Sequence, residues 1–81
     1  MMNLNIDDRL VDAFCRCFGE KFRGKITLET SMDNTHEWDS VSFVDLITTL
    51  EEVYDVEFSM DEMAEMTQVS TIVDVLGKKI T

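Results

Sequence analysis

One stripe of apolar residues limits the possible folds of this 81-residue chain more than any other feature of its sequence. Between Ser40 and Tyr54, apolar side chains recur at intervals of three and four residues, which places them on one side of an α-helix. The stripe consists of Phe43, Leu46, Ile47, Leu50, Val53 and Tyr54. Asp39 precedes it and is a favourable N-cap residue, so the sequence predicts a helix that begins at Ser40 and ends near Tyr54.

The same spacing predicts three further helices. The first extends from about Ile6 to Phe18 with Asn5 as its N-cap, a short one from about Asp61 to Met66, and the last from about Val69 to Lys79. The predicted core side of the first helix consists of Ile6, Leu10, Ala13, Phe14, Cys17 and Phe18, and Cys15 lies opposite. The last helix is predicted to bury Val69, Ile72, Val73, Leu76 and Ile80.

A long connection separates the first two helices, from about Gly24 to Asp39. A loop of this length in a small bundle is expected to pack or to function. We expect four apolar residues to attach it to the core: Ile26, Leu28, Met32 and Trp38. The prediction is therefore an all-α four-helix bundle with three longer helices, a short third helix and a long loop between helices I and II, in one domain spanning residues 1–81.

Charge restricts the partners. The chain has 17 acidic and 7 basic residues, a formal net charge of −10, and no lysine or arginine between Lys25 and Lys78. Such a surface repels nucleic acid and anionic lipid and attracts proteins with basic patches, although acidity can also serve solubility alone. No apolar run is long enough to cross a membrane, and the polar start, Met1 to Arg9, does not fit a signal peptide, so we expect a cytoplasmic protein that does not insert into membranes. The predicted helices have no long apolar stripe that would require burial in a dimer, so we expect a monomer.

The sequence offers little for catalysis or metal binding. Two cysteines and His36 are too few ligands for a zinc site. His36 and Ser40 could be imagined in a hydrolase triad, but the glycine-flanked nucleophile turn is absent. An EF-hand loop fails because Trp38 stands where its glycine is required. We therefore expect neither an enzyme nor a resident metal.

The outward side of the second helix is unusual. Its residues are Val41, Asp45, Thr48, Glu52 and Asp55, with Ser42 and Glu51 flanking them. Val41 is apolar, yet it lies opposite the core stripe and among carboxylates. This pattern indicates a docking surface for a basic partner, although single exposed apolar residues also occur without any function.

The run from Asp39 to Tyr54 resembles the attachment motif of acyl and peptidyl carrier proteins. Asp39-Ser40-Val41 corresponds to the family's Asp-Ser-Leu at the start of helix II, and Leu50-Glu51-Glu52 to its Leu-Glu-Glu. Other segments also resemble the family: Thr30-Ser31-Met32, Phe58, Asp61, Glu62 and Met66-Thr67-Gln68-Val69. The resemblance covers roughly residues 6–80, which is nearly the whole chain.

The resemblance implies a carrier and not an enzyme. A phosphopantetheinyl transferase would attach 4′-phosphopantetheine to Ser40, with Asp39 engaging the transferase and its magnesium, and the thiol of the arm would hold cargo as a thioester. The expected recognition residues are Val41, Asp45, Thr48, Glu51 and Glu52. Further partners would be a loading ligase or synthase and acyl-transfer enzymes with basic docking patches.

The cargo stays open between an acyl chain, an amino acid and a polyketide unit. Val41 replaces the usual Leu, Thr48 stands where fatty-acid carriers often have Met, and Trp38 precedes the motif as in discrete carriers of specialised pathways. An apolar cleft for a long chain is predicted between the second and third helices, bordered by Ile47, Phe58, Met63 and Met66. The alternative is a carrier-like acidic docking module that is never modified.

Overall fold

Four α-helices form where the apolar spacing predicts them. The computed structural model describes residues 6–80, with the side chain of Ile80 excepted. Its helices are α1 (Asp8–Phe18), α2 (Ser40–Tyr54), α3 (Met60–Glu65) and α4 (Val69–Ile80), with a 3₁₀ turn at Glu20–Phe22. The all-α bundle with a short third helix and a long loop before α2 is thus confirmed, and no strand forms among the described residues.

Local capping explains where the helices begin. Asp7 caps α1 by accepting a hydrogen bond from the Leu10 N–H at 2.9 Å, so the helix starts two residues later than predicted. Asn5, the predicted cap, lies outside the described residues. Ser59 and Glu62 form a reciprocal capping box that starts α3 at Met60, one residue before the predicted start.

The core lies between α1, α2 and α4. Trp38, from the loop, is 1% exposed and meets Phe14 of α1 edge to face, with ring centroids 5.3 Å apart. Buried residues of the predicted α2 stripe are Leu46, Ile47, Leu50 and Tyr54, and Phe43 and Val53 pack beside them. The predicted α4 residues Val69, Ile72, Val73 and Leu76 are buried as well, together with Val75, which the spacing did not indicate.

The prediction that Cys15 faces away from the core is wrong. The residue is buried, with only 6% of its surface exposed. The chain after Gly19 folds back along α1 in the 3₁₀ turn, and the Arg23 guanidinium reaches the Asp12 carboxylate at 3.0 Å. Asp12 lies one turn before Cys15 on the same side of α1. The returning segment therefore covers a side of α1 that the helix alone would expose.

The long loop is attached to α4 mainly through its backbone. The carbonyls of Thr30 and Leu28 accept hydrogen bonds from the N–H groups of Val69 and Ser70 at 2.8 and 3.1 Å, which satisfies the first turn of α4. Ile26 and Met32 pack against the core as predicted. Leu28 does not, since its side chain is 38% exposed and its carbonyl makes the attachment instead.

The start of α1 is tied to the end of α2 by Asp7. Its Oδ1 accepts a hydrogen bond from the Tyr54 hydroxyl at 2.6 Å. Partial burial alone would raise the pKa of Asp7, but the hydrogen bonds from Tyr54 and Leu10 and the nearby Arg9 outweigh it and hold the pKa below its usual value. The ionised carboxylate therefore contributes to stability above the pKa that this group has in the unfolded chain, about 3.9, and the contribution is lost as pH falls through the lower folded-state pKa.

We expect Asp7→Asn to be less stable than wild type at neutral pH, by about 1 kcal/mol or less, because asparagine still caps the helix but carries no charge. The gap between the two melting temperatures should be constant above about pH 5 and should close as pH falls through the lowered folded-state pKa of Asp7. Thermal unfolding followed by circular dichroism across this pH range measures it. Asp8→Asn is the control, since Asp8 is exposed and has no hydrogen-bond partner for its side chain among the described residues. A gap that stays constant with pH contradicts the assignment.

Candidate functional site

Ser40 is the first residue of α2, and its side chain is exposed. Its hydroxyl makes no hydrogen bond within the described part of the chain. Ser42, two residues later, differs from Ser40 in both hydrogen bonding and burial. Its hydroxyl donates to the Glu37 carbonyl at 2.9 Å and bonds Asp39 at 3.0 Å, and its side chain is half-buried. Of these two serines, only Ser40 presents a free hydroxyl to a visiting molecule.

Asp39 is fixed as the N-cap of α2. Its Oδ1 accepts the Ser42 N–H at 2.9 Å. This bond, followed by the bond from the Ser42 hydroxyl, holds the pKa of Asp39 below its usual value. The carboxylate is therefore an ionised, oriented and exposed group directly beside Ser40.

No general base is hydrogen-bonded to the Ser40 hydroxyl in the described part of the chain. A serine needs a general base or a metal to become a good nucleophile. His36 is exposed, and no hydrogen bond links it to Ser40 within residues 6–80. In the same residues no cluster of potential ligands is suited to a metal ion.

The predicted outward residues Val41, Asp45, Thr48 and Glu52 of α2 are exposed, and a second apolar residue, Val44, is exposed beside them. Val41 is 75% exposed, and Asp45, Thr48 and Glu52 are exposed with it. Val44 is 62% exposed and lies one turn from Val41. The sequence analysis missed Val44, although its spacing from Val41 and its place outside the core stripe were available signals.

The acidic side chains of α2 have no basic partner within the described residues. Four of the seven lysine and arginine residues pair with acids outside α2, among them Lys21 with Glu37 at 2.9 Å and Lys79 with Glu62 at 3.0 Å. Arg9 and Arg23 pair with acids of the first 23 residues. The acidic side chains of α2 are therefore not neutralised by an ion pair within the described residues.

Glu51 behaves differently from its neighbour Glu52. It is half-buried, and its Oε2 accepts a hydrogen bond from the Phe58 N–H at 3.0 Å. Glu52 is exposed, and its carboxylate has no hydrogen-bond partner in the described residues. The predicted recognition residues are thus brought onto one helix, but Glu51 already has a partner within the chain.

The four residues predicted to border an acyl cleft all belong to the core or pack against it. Ile47, Phe58 and Met66 are 5%, 6% and 0% exposed and belong to the buried cluster. Met63 is half-buried and packs against that cluster.

Comparison with known proteins decides the family. Residues 8–76 match the model of the phosphopantetheine attachment site. The chain belongs to the acyl and peptidyl carrier protein family. It is also 33% identical over 56 residues, 69% of this chain and 68% of the relative, to an acyl carrier protein of Coprothermobacter proteolyticus. No solved structure matches the chain.

Membership makes the chain a carrier and not an enzyme, with covalently attached 4′-phosphopantetheine as its prosthetic group. Its partners are accordingly a phosphopantetheinyl transferase and acyl-handling enzymes. Attachment through a phosphodiester requires an accessible hydroxyl, and an anion is favoured at the positive end of a helix. Ser40 at the start of the 15-residue helix α2 fits both requirements. None of the helices in the described residues has the length and apolar character needed to cross a membrane.

Proposed function

We propose that Ser40 is the attachment residue of this carrier protein. The observation that carries the proposal is the difference between the two serines of the motif. The Ser40 hydroxyl is exposed and free of hydrogen bonds in the described structure, whereas the Ser42 hydroxyl is bonded to Glu37 and Asp39.

The proposed reaction forms a bond between Ser40 Oγ and phosphorus. It breaks the diphosphate bond of coenzyme A, so that the adenosine bisphosphate portion leaves and the hydroxyl proton passes to a base of the transferase. Asp39 supplies an ionised carboxylate beside the hydroxyl, which suits it to engage the transferase and its magnesium. The bound group supplies a thiol whose thioester is activated for acyl transfer.

The test is intact mass after coexpression with a broad-specificity phosphopantetheinyl transferase. The chain should gain about 340 Da, and peptide fragmentation should place the gain on Ser40. A wild-type chain that gains nothing under these conditions would favour the unmodified docking module instead. A gain placed on another residue would overturn the assignment of Ser40.

Docking is proposed to use the outward side of α2. Val41 supplies an apolar contact, while Asp45 and Glu52, with Thr48 between them, supply the polar and charged surroundings. Because no base of the described chain neutralises these acids, they are available to a basic patch on the transferase, on the enzyme that loads cargo or on the enzymes that remove it.

Charge reversal on this surface should weaken docking without unfolding the chain. We expect Asp45→Lys and Glu52→Lys each to raise the KM of the transferase about tenfold, because a like charge then faces the partner's basic patch. Melting temperatures should stay near wild type, since both side chains are exposed. Asp74→Lys on α4 is the matched control, with the same change in net charge at an exposed site of another helix. Equal effects at all three positions would show that net charge, and not a docking surface, governs the rate.

The cargo is proposed to be an acyl, aminoacyl or polyketide intermediate, carried in the cytoplasm by a single monomeric domain spanning residues 1–81. For a long chain, the proposed shelter lies among Ile47, Phe58, Met63 and Met66. These residues fill the core in the described structure, so cargo must displace them, and flexible methionine side chains make this displacement less costly. The Trp-Asp-Ser form of the motif favours a specialised pathway over fatty-acid synthesis.

A further inference from the structure

Glu51 organises the connection between α2 and α3 with both its backbone and its side chain. Its carbonyl accepts hydrogen bonds from the N–H groups of Asp55 and Val56, the latter at 3.1 Å, and so ends α2. Its carboxylate accepts the Phe58 N–H at 3.0 Å. Three backbone groups after the helix are therefore held by one residue.

This connection needs such support. Asp55 adopts the left-handed conformation, with φ 56° and ψ 51°, which non-glycine residues adopt at an energetic cost. Phe58 is 6% exposed, and a buried N–H without an acceptor would be costly. The Glu51 carboxylate satisfies this group within the described structure.

Phe58 directly precedes the capping box that starts α3. Ser59 is the next residue and is the N-cap of α3, so a fixed Phe58 backbone also fixes the first turn of that helix. α3 contains Met63 and leads to Met66, and both residues, with Phe58, belong to the proposed cargo shelter.

We propose that Glu51 is a positioning residue, which holds Phe58 and the start of α3 through a hydrogen bond, and that its charge is not part of the docking surface. The importance of this positioning for cargo, through the shelter to which Phe58 belongs, rests on the function proposed above. Of the adjacent pair Glu51 and Glu52, only Glu52, which is exposed and without a hydrogen-bond partner in the described residues, then contributes charge to the docking surface.

Two substitutions distinguish the effect of side-chain length from the effect of charge at this position. Glu51→Gln removes the charge but keeps an oxygen at the same distance, so the Phe58 N–H retains its acceptor. Glu51→Asp keeps the charge but is one methylene shorter, so the hydrogen bond is lost. Glu52→Gln and Glu52→Asp are the matched controls on the neighbouring residue.

Amide hydrogen exchange at Phe58 is the first measurement. We expect Glu51→Asp to accelerate it about tenfold or more and Glu51→Gln to leave it within about threefold of wild type. Both Glu52 variants should leave it unchanged. The Phe14 amide in α1 reports global stability and should exchange at the wild-type rate in both Glu52 variants. In Glu51→Asp, the acceleration at Phe58 should exceed any acceleration at Phe14, because the lost hydrogen bond is local.

The KM of the transferase is the second measurement. Glu52→Gln should raise it several-fold, whereas Glu51→Gln should change it by less than about twofold. The proposal is overturned if Glu51→Asp leaves Phe58 exchange unchanged, or if Glu51→Gln raises KM as much as Glu52→Gln. A wild-type chain that is never modified would refute the proposed function, but the exchange pattern at Phe58 would still decide the role of Glu51.

Discussion

Ser40→Ala is expected to abolish the gain of about 340 Da that a phosphopantetheinyl transferase gives the wild-type chain. The loss should be complete, because alanine has no oxygen to form the phosphodiester. Intact mass spectrometry of coexpressed protein measures it. The fold should be preserved, since the Ser40 side chain is exposed and makes no hydrogen bond in the described structure, and alanine is a good helix former.

Ser42→Ala is the matched control for this result. It removes a hydroxyl two residues away and, with it, the bonds to Glu37 and Asp39. We expect it to cost about 1 kcal/mol in the free energy of unfolding and to leave the mass gain intact. Asp39 would still cap α2 through the Ser42 N–H, so Ser40 would remain at the start of the helix. A gain that survives in Ser40→Ala, or disappears in Ser42→Ala, would move the attachment site.

Local features of the sequence were sufficient to predict the helix that begins at Ser40. The apolar spacing and the Asp39 cap both act within one or two turns, and α2 has the predicted bounds, Ser40–Tyr54. The resemblance then distinguished this helix from any other capped helix. The burial of Cys15 could not be predicted in this way, because the segment that covers it returns only after the glycine at position 19.

Hydrogen bonds between a helix and the loop next to it were the least predictable. The hydrogen bond of Ser42 to Glu37 depends on how the loop enters α2, and that of Glu51 to Phe58 on the left-handed turn after it. Both alter how the site is interpreted. The Ser42 hydroxyl is hydrogen-bonded and so is not free to react. The Glu51 carboxylate, which the family pattern groups with that of Glu52, is hydrogen-bonded to Phe58 of the same chain.

Trp38 shows how a residue of the motif can have a structural role. Its place before Asp39 suggested a type of pathway, but in the structure its ring fills the core between the loop and α1. It is 1% exposed and contacts Phe14 and Phe18 at ring-centroid distances of 5.3 and 6.2 Å. Because Ser40 is only two residues away, the buried ring also restrains the backbone just before the Asp39 cap of α2.

Trp38→Ala should therefore cause the largest loss of stability of any substitution considered. Removal of a fully buried aromatic side chain costs about 3–5 kcal/mol, which in a domain of this size lowers the melting temperature by roughly 15 °C or more. Far-ultraviolet circular dichroism is the suitable measurement, because Trp38 is the only tryptophan and its fluorescence disappears in the variant.

Trp38→Phe distinguishes packing from hydrogen bonding at the same position. The indole Nε1 is buried and has no hydrogen-bond partner in the described structure. A buried donor without an acceptor costs about 1–3 kcal/mol, and phenylalanine removes this penalty while keeping most of the aromatic contact with Phe14. We therefore expect Trp38→Phe to lie within about 2 kcal/mol of wild type and to accept the prosthetic group normally. If it is destabilised as much as Trp38→Ala, then the second ring of the indole, and not aromatic burial in general, is what the core between α1 and the loop requires.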